Sequence, residues 1–238
     1  MAAILNIETA TQLCSVALVV DGNTVSRRVT LEDKSHASKL TVFISEVLQE
    51  YKHKVAELDA VAVGKGPGSY TGLRIGVSTA KGLCYGANIP LIAVGTLKVL
   101  YQQVLIHPDP MLQKILSGTD VLLCPMIDAR RMEVFTCMFN LNGEVIEPPA
   151  AKIIDPETFT KHLNEHTIIF FGSGMEKCRK LLTDQHCVCV SDVYPHADAL
   201  AMLAEKKFVQ GKFEDVAYFE PFYLKDFIAT TPKKNITV

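Results

Sequence analysis

The feature that most constrains the fold of this 238-residue chain is an order of elements that occurs twice. Short apolar runs at residues 3–8 and 14–20 and an alternating run at 24–30 read as three strands, with Asp21-Gly22-Asn23 as a tight hairpin. Leu40, Phe43, Ile44, Val47, Leu48 and Tyr51 then share one face of a helix over 36–51, with Ser35 available as its N-cap. A strand at 60–64, a glycine-rich turn, a helix at 71–86, a strand at 91–94 and a helix at 96–105 complete a β-β-β-α-β-α-β-α series. Pro108 and Pro110 mark residues 107–118 as a crossing between halves. Beyond it, strands at 121–127, 132–140 and 144–147, the last two joined by Asn142-Gly143, lead into a helix at 156–164 and a strand at 167–171. A helix at 174–182, a strand at 187–190 and a helix at 195–209 repeat the first order. Three leading strands followed by alternating helices predict a mixed, partly antiparallel sheet covered by helices, once in each half.

The doubled order resembles the ribonuclease-H-like fold of the actin, Hsp70 and sugar-kinase (ASKHA) superfamily. The expectation is an α/β chain of two subdomains, residues 1–106 and 107–238, with the last segment packing back on the first. Composition fits such a fold: hydrophobic residues are 48% and charged residues 21% of the chain. Twenty-four Lys and Arg against 26 Asp and Glu give no overall electropositive field, and no basic stripe supports tRNA binding by this chain alone. Seven cysteines without a CxxC pair read as reduced thiols, not a disulfide framework. The start of the chain shows no basic, apolar leader, and no run reaches the roughly 18 apolar residues of a membrane span, so a soluble cytoplasmic protein is expected.

The most unusual segment runs from Gly64 through Gly66-Pro67-Gly68-Ser69-Tyr70-Thr71-Gly72-Leu73-Arg74-Ile75 to Gly76. A strand passing through glycines into a helix start can turn backbone N–H groups toward an anion, yet Gly-Pro-Gly is also an ordinary turn device. The run matches neither GxxxxGK[ST] nor GxGxxG. Gly72, Gly76 and Ala80 lie four apart, a smooth stripe that suits close approach of the underlying sheet or of a partner helix.

Asn6-Ile7-Glu8-Thr9-Ala10-Thr11, Lys34-Ser35-His36, the Gly66–Gly76 run and Pro221-Phe222-Tyr223-Leu224-Lys225 together resemble the TsaB (YeaZ) family. This family is also called glycoprotease-like or peptidase M22-like. The resemblance spans the chain and implies a non-catalytic subunit of the machinery that places threonylcarbamoyl on adenosine 37 of tRNAs reading codons that begin with A. It implies pairing with the catalytic paralogue TsaD, assembly with the ATPase TsaE, a homodimer when alone, and tRNA contact only within the complex. Neither a cofactor, a metal nor a catalytic residue is implied for the chain itself. The family's pairing surface, carried over here, is His36, Leu40, Phe43 and Val47 on the first long helix and Gly72, Gly76 and Ala80 on the second. On that reading, Gly76→Leu leaves a soluble monomer and abolishes the heterodimer. Glu8, Thr9, Gly66, Pro67, Gly68, Ser69, Thr71 and Arg74 would be a vestigial phosphate loop. Most family members have Asp where Glu8 stands, and side chains at Thr9 and Ala10 would crowd a phosphate seeking backbone contacts.

An enzyme remains the alternative, either a residual ATP-binding phosphotransferase of this superfamily or a metal-dependent peptidase. His162-Leu163-Asn164-Glu165-His166 fits the HxxEH pattern, which needs both histidines on one face of a continuous helix and a third ligand. Here the helix must end by Thr167, which leaves His166 at its fraying end. Cys187 and Cys189 flank Val188 on one strand face, as a soft-metal pair or as small buried thiols. Arg130 and Arg131 occupy a turn beside Asp128, as solvated charges or as contacts to tRNA phosphates in an assembly. Residues 230–238 read as a frayed tail, and the sequon Asn235-Ile236-Thr237 within it means nothing in a cytosolic chain.

Overall fold

Ala3–Glu8 (β1) is buried at every position, so it reads as a continuous apolar run instead of an alternating one. Its neighbours are antiparallel β2 (Cys14–Val20) and parallel β4 (Ala60–Gly64). In the computed structural model, which describes residues 2–32, 35–106, 108 and 110–225, these strands join β3 (Asn23–Thr30) and β5 (Leu91–Val94) in a sheet ordered β3-β2-β1-β4-β5. A second sheet has the equivalent order, β8-β7-β6-β9-β10, from Val121–Asp128 (β6), Glu133–Asn140 (β7), Val145–Ile153 (β8), Thr167–Phe171 (β9) and Cys187–Val190 (β10). The chain is thus α/β with two five-stranded mixed sheets, the class its element order implies.

One face of the first sheet packs under α1 (His36–Glu50) and α2 (Tyr70–Ala87), through Leu40, Ile44, Val47, Val77 and Ala80. Its other face packs under α7 (Ala197–Val209), which comes from the far end of the chain. Conversely, α3 (Thr96–Ile106) and α4 (Pro110–Leu116) lie against the second sheet, with Leu97, Leu100, Tyr101 and Leu112 in its core. The short helices α5 (Thr160–Leu163) and α6 (Met175–Cys178) cover that sheet's opposite face. Each half of the chain thus lends a helix to the other sheet's core. Ala197 N–H donates to Ser15 Oγ at 3.1 Å, Lys207 Nζ donates to the Ala93 carbonyl at 2.6 Å, and Arg27 pairs with Asp198 at 2.6 Å.

Four local expectations need correction. Within the expected crossing, Pro110–Leu116 forms a helix, because Pro110 is its first residue, where its missing N–H interrupts no helical bond. The strand expected at 144–147 runs on to Ile153 through Pro148 and Pro149, which an edge strand tolerates. The helices expected at 156–164 and 174–182 shrink to single turns, α5 and α6. Ser35 precedes α1 but its hydroxyl makes no capping bond; Ser38 Oγ donates instead to the Ser35 carbonyl. Lys34, residues 230–238 and the sequon lie outside the described residues. Among the described residues, no helix is long and apolar enough to cross a membrane.

Candidate functional site

The carboxyl ends of β1 and β4 lie side by side and bring the first turn against the glycine run. Glu8 is wholly buried there, its Oε1 accepting the Ala10 N–H at 2.8 Å while Oε2 has no hydrogen-bond partner. Gly64 makes room for that carboxyl, since a Cβ at 64 would meet Oε2 closer than 3.0 Å. Burial lifts the Glu8 pKa from the ordinary 4.5 to about 7, with the Ala10 and Thr9 amides opposing the rise. A carboxyl so enclosed is poorly placed to hold a cation or activate water.

Thr9 Oγ1 donates to the Gly72 carbonyl at 2.8 Å, and Ser69 N–H donates to the Ala10 carbonyl at 2.7 Å. A Cβ at Gly68 would collide with the Ala10 carbonyl, one at Gly72 with the Thr9 carbonyl, and one at Gly76 with Thr9 Oγ1. The glycines thus let the first strand's turn lie directly on α2. Gly66, at φ +100°, donates its N–H to Thr96 Oγ1 at 3.1 Å and follows a Lys65 whose N–H reaches the Val94 carbonyl at 2.8 Å. The Gly66–Pro67 peptide is cis. Ser69 caps α2 by accepting the Gly72 N–H at 3.3 Å.

The amides of Lys65, Gly66, Ser69 and Gly72 are all bonded internally, so these residues clasp the first turn to α2. Thr71 is exposed at the start of α2, and Arg74 lies 4.7 Å over the Tyr70 ring.

The pairing residues carried over from the family also change place. Leu40, Val47, Gly72, Gly76 and Ala80 are buried inside the subunit, Phe43 is half-buried on the same core, and His36 Nε2 donates to the Thr11 carbonyl at 2.9 Å. The inner glycine stripe packs against the first turn. A second stripe of small residues, which the sequence reading missed, lies on the outer side of α2. A Cβ at Gly82 or Gly86 would meet nothing within 4 Å, and Ser78 and Tyr85 stand exposed beside them. The sequence held the signal: Leu73, Val77 and Cys84 bracket the inner stripe, whereas no apolar core residue shares the outer one. Between α1 and α2 a groove of about 420 Å³ opens outward, lined by Thr41, Ile44, Ser45, Leu48, Thr79 and Leu83 among others.

HxxEH assembles no metal site. His162 Nε2 lies 2.8 Å from Glu147 Oε1 on β8, and Lys152 pairs with the other oxygen of Glu147. Burial pushes that carboxyl up, but the bonds from Lys152 and His162 outweigh it and hold it below its ordinary range. His166 falls beyond the four-residue α5, its Nδ1 buried without a partner. Among the described residues, no three His, Cys, Asp or Glu side chains are grouped to hold a metal ion. Cys187 and Cys189 are half-buried free thiols on β10, packed against the same core cluster.

Comparison with known proteins adds the following. The family profile described as TsaD, tRNA N6-adenosine threonylcarbamoyltransferase, matches residues 29–233. The tRNA threonylcarbamoyladenosine biosynthesis protein TsaB of Escherichia coli K12 is 30% identical over 95% of this chain and 96% of its own length. Its namesake from Haemophilus influenzae is 26% identical over 94% and 93%. The solved structure of YeaZ from Pseudomonas aeruginosa has the same fold, with a TM-score of 0.75 at 24% identity over 94% of this chain and all of that one.

Proposed function

Because the chain belongs to the TsaB (YeaZ) family, we propose that it works in tRNA threonylcarbamoyladenosine biosynthesis as a non-catalytic subunit, pairing through α1 and α2 with the catalytic paralogue TsaD. TsaE joins through that complex, tRNA is the substrate of the whole, and the chain alone forms a homodimer over the same surface in the cytoplasm. The observation that carries this reading is the outer face of α2. Glycine in an exposed helix interior costs roughly 1 kcal/mol relative to alanine, and Gly82 and Gly86 relieve no crowding within the subunit. A second helix packed closely on that face supplies the reason. Val42 on α1 and Tyr85 on α2, 47% and 85% exposed, are apolar anchors beside the groove. The buried Glu8 and the clasp formed by Thr9 and Ala10 support a role without nucleotide chemistry.

Two substitutions at one position separate folding from pairing. Gly82→Ala is expected to raise the urea midpoint, a gain of about 0.5–1 kcal/mol, because it improves helix propensity in open space. Gly82→Leu is expected to fold equally well but to lose the 1:1 complex with TsaD from the same organism in size-exclusion chromatography with light scattering. An undiminished complex with Gly82→Leu would remove α2 from the interface.

A further inference from the structure

The end of the described chain crosses from the first sheet to the second. Lys81 Nζ on α2 donates to the carbonyls of Ala217 and Phe219, and Phe222 N–H donates to the Lys65 carbonyl at 2.7 Å. Tyr223 lays its ring 5.0 Å from that of Tyr70, over which Arg74 stacks at 4.7 Å. Leu224 then packs into the second core, and Lys225 pairs with Glu133 at the root of the β6–β7 turn.

That turn is unusual. Arg130 and Arg131 both have positive φ, +69° and +50°, where asparagine and glycine are the residues that fit without strain. Lys177 holds the turn in place by bonding Asp128 and the carbonyls of Arg131 and Glu133. Both arginines are exposed, and among the described residues neither guanidinium has a hydrogen bond or ion pair. A turn that keeps two arginines where asparagine and glycine are easier is shaped for what the guanidinium groups meet outside the subunit.

We infer that Arg130 and Arg131, continued by Lys225, Tyr223 and Arg74, form a contact strip for RNA. The proposal rests on the reading of this chain as a tRNA-modification subunit and names a surface for the substrate. The chemistry favours a polyanion: of the acidic side chains near the strip, Asp128 and Glu133 are already paired with Lys177 and Lys225, and the exposed Glu220 near Tyr223 is outnumbered by Arg74, Arg130 and Arg131. It favours a nucleic acid because the cations alternate with aromatic faces. Phe222 and Tyr223, 40% and 38% exposed, offer platforms on which a base can stack between phosphate contacts. Composition hides the strip, since its members lie at positions 74, 130, 131, 223 and 225 and meet only in the fold.

The test uses the full chain in its complex with TsaD from the same organism, as wild type and as an Arg130→Asn/Arg131→Gly double variant, titrated against a tRNA transcript between about 50 and 200 mM salt. Removing strain and charge together should raise the variant's melting temperature while weakening its RNA binding. The slope of log affinity against log salt should become shallower by about 1.5, as expected for two lost phosphate contacts. Unchanged affinity and slope would overturn the proposal, as would equal competition by polyglutamate, which would make the strip a site for acidic protein. In cells depleted of their own copy, wild-type chain that fails to restore threonylcarbamoyladenosine would refute the pathway reading, whatever the titration shows. Full restoration by an Arg130→Glu/Arg131→Glu chain would count against the strip alone.

Discussion

Gly76→Leu is expected to abolish folding, with little or no soluble monomer left to test for pairing. A side chain there must enter space held by Thr9 Oγ1, which is itself hydrogen-bonded to the Gly72 carbonyl. Overpacking a close-packed core commonly costs 1–3 kcal/mol, and here the first turn has no room to retreat, because the neighbouring Gly68 and Gly72 bear on the carbonyls of Ala10 and Thr9. A loss of about 4 kcal/mol or more would be a large part of a typical domain's stability of 5–15 kcal/mol. Gly72→Ala should fail in the same way with a single added carbon, since its obstacle is backbone. Soluble yield and urea midpoints, with Gly82→Leu as the folded control, check this. A Gly76→Leu protein with a wild-type midpoint would mean that the clasp between first turn and α2 is loose.

The second large effect concerns pH. The Glu8 carboxyl has a folded-state pKa of about 7, above the ordinary 4.5, because burial disfavours its charged form. The folded state therefore holds this proton more tightly than the unfolded chain. Its stabilising contribution is full below about pH 4.5 and disappears as pH rises through 7, a change on the order of 3 kcal/mol. Glu8→Gln keeps an acceptor for the Ala10 N–H and cannot ionise. It should match wild type near pH 4.5, exceed it by roughly 2–3 kcal/mol at pH 8, and flatten this part of the stability profile. Denaturant melts at pH 5, 6.5 and 8 decide the matter. A wild type that gains stability over this range relative to Glu8→Gln would show that the carboxylate is ionised and paired.

Much of the architecture was legible because strands buried on both faces leave apolar runs and the glycine turns punctuate them. The prolines misled twice, at Pro110 and at Pro148-Pro149, because a breaker inside an element and a permitted residue at its edge look alike in sequence. The glycine stripe was found by spacing, but spacing alone does not say which side of a helix faces the sheet. α2 carries two such stripes, and only the phase of Leu73 and Val77 tells them apart. The clasp of Thr9 on Gly72, the grip of Lys177 on the Arg130–Arg131 turn and the path of residues 217–225 join positions that lie tens to more than a hundred residues apart. No local pattern encodes them.

The exchange of α3 and α7 between the sheets bears on how the molecule comes apart. Neither half owns a complete core: without α7 the first sheet would show Ile4, Ala62 and Ile92 to water, and without α3 the second would bare Leu123 and Phe139. The halves should therefore melt together, as a single calorimetric peak whose van't Hoff and measured enthalpies agree. For the same reason a nascent chain can finish its amino-terminal half only after residue 209 has left the ribosome, so maturation waits for nearly the whole of synthesis.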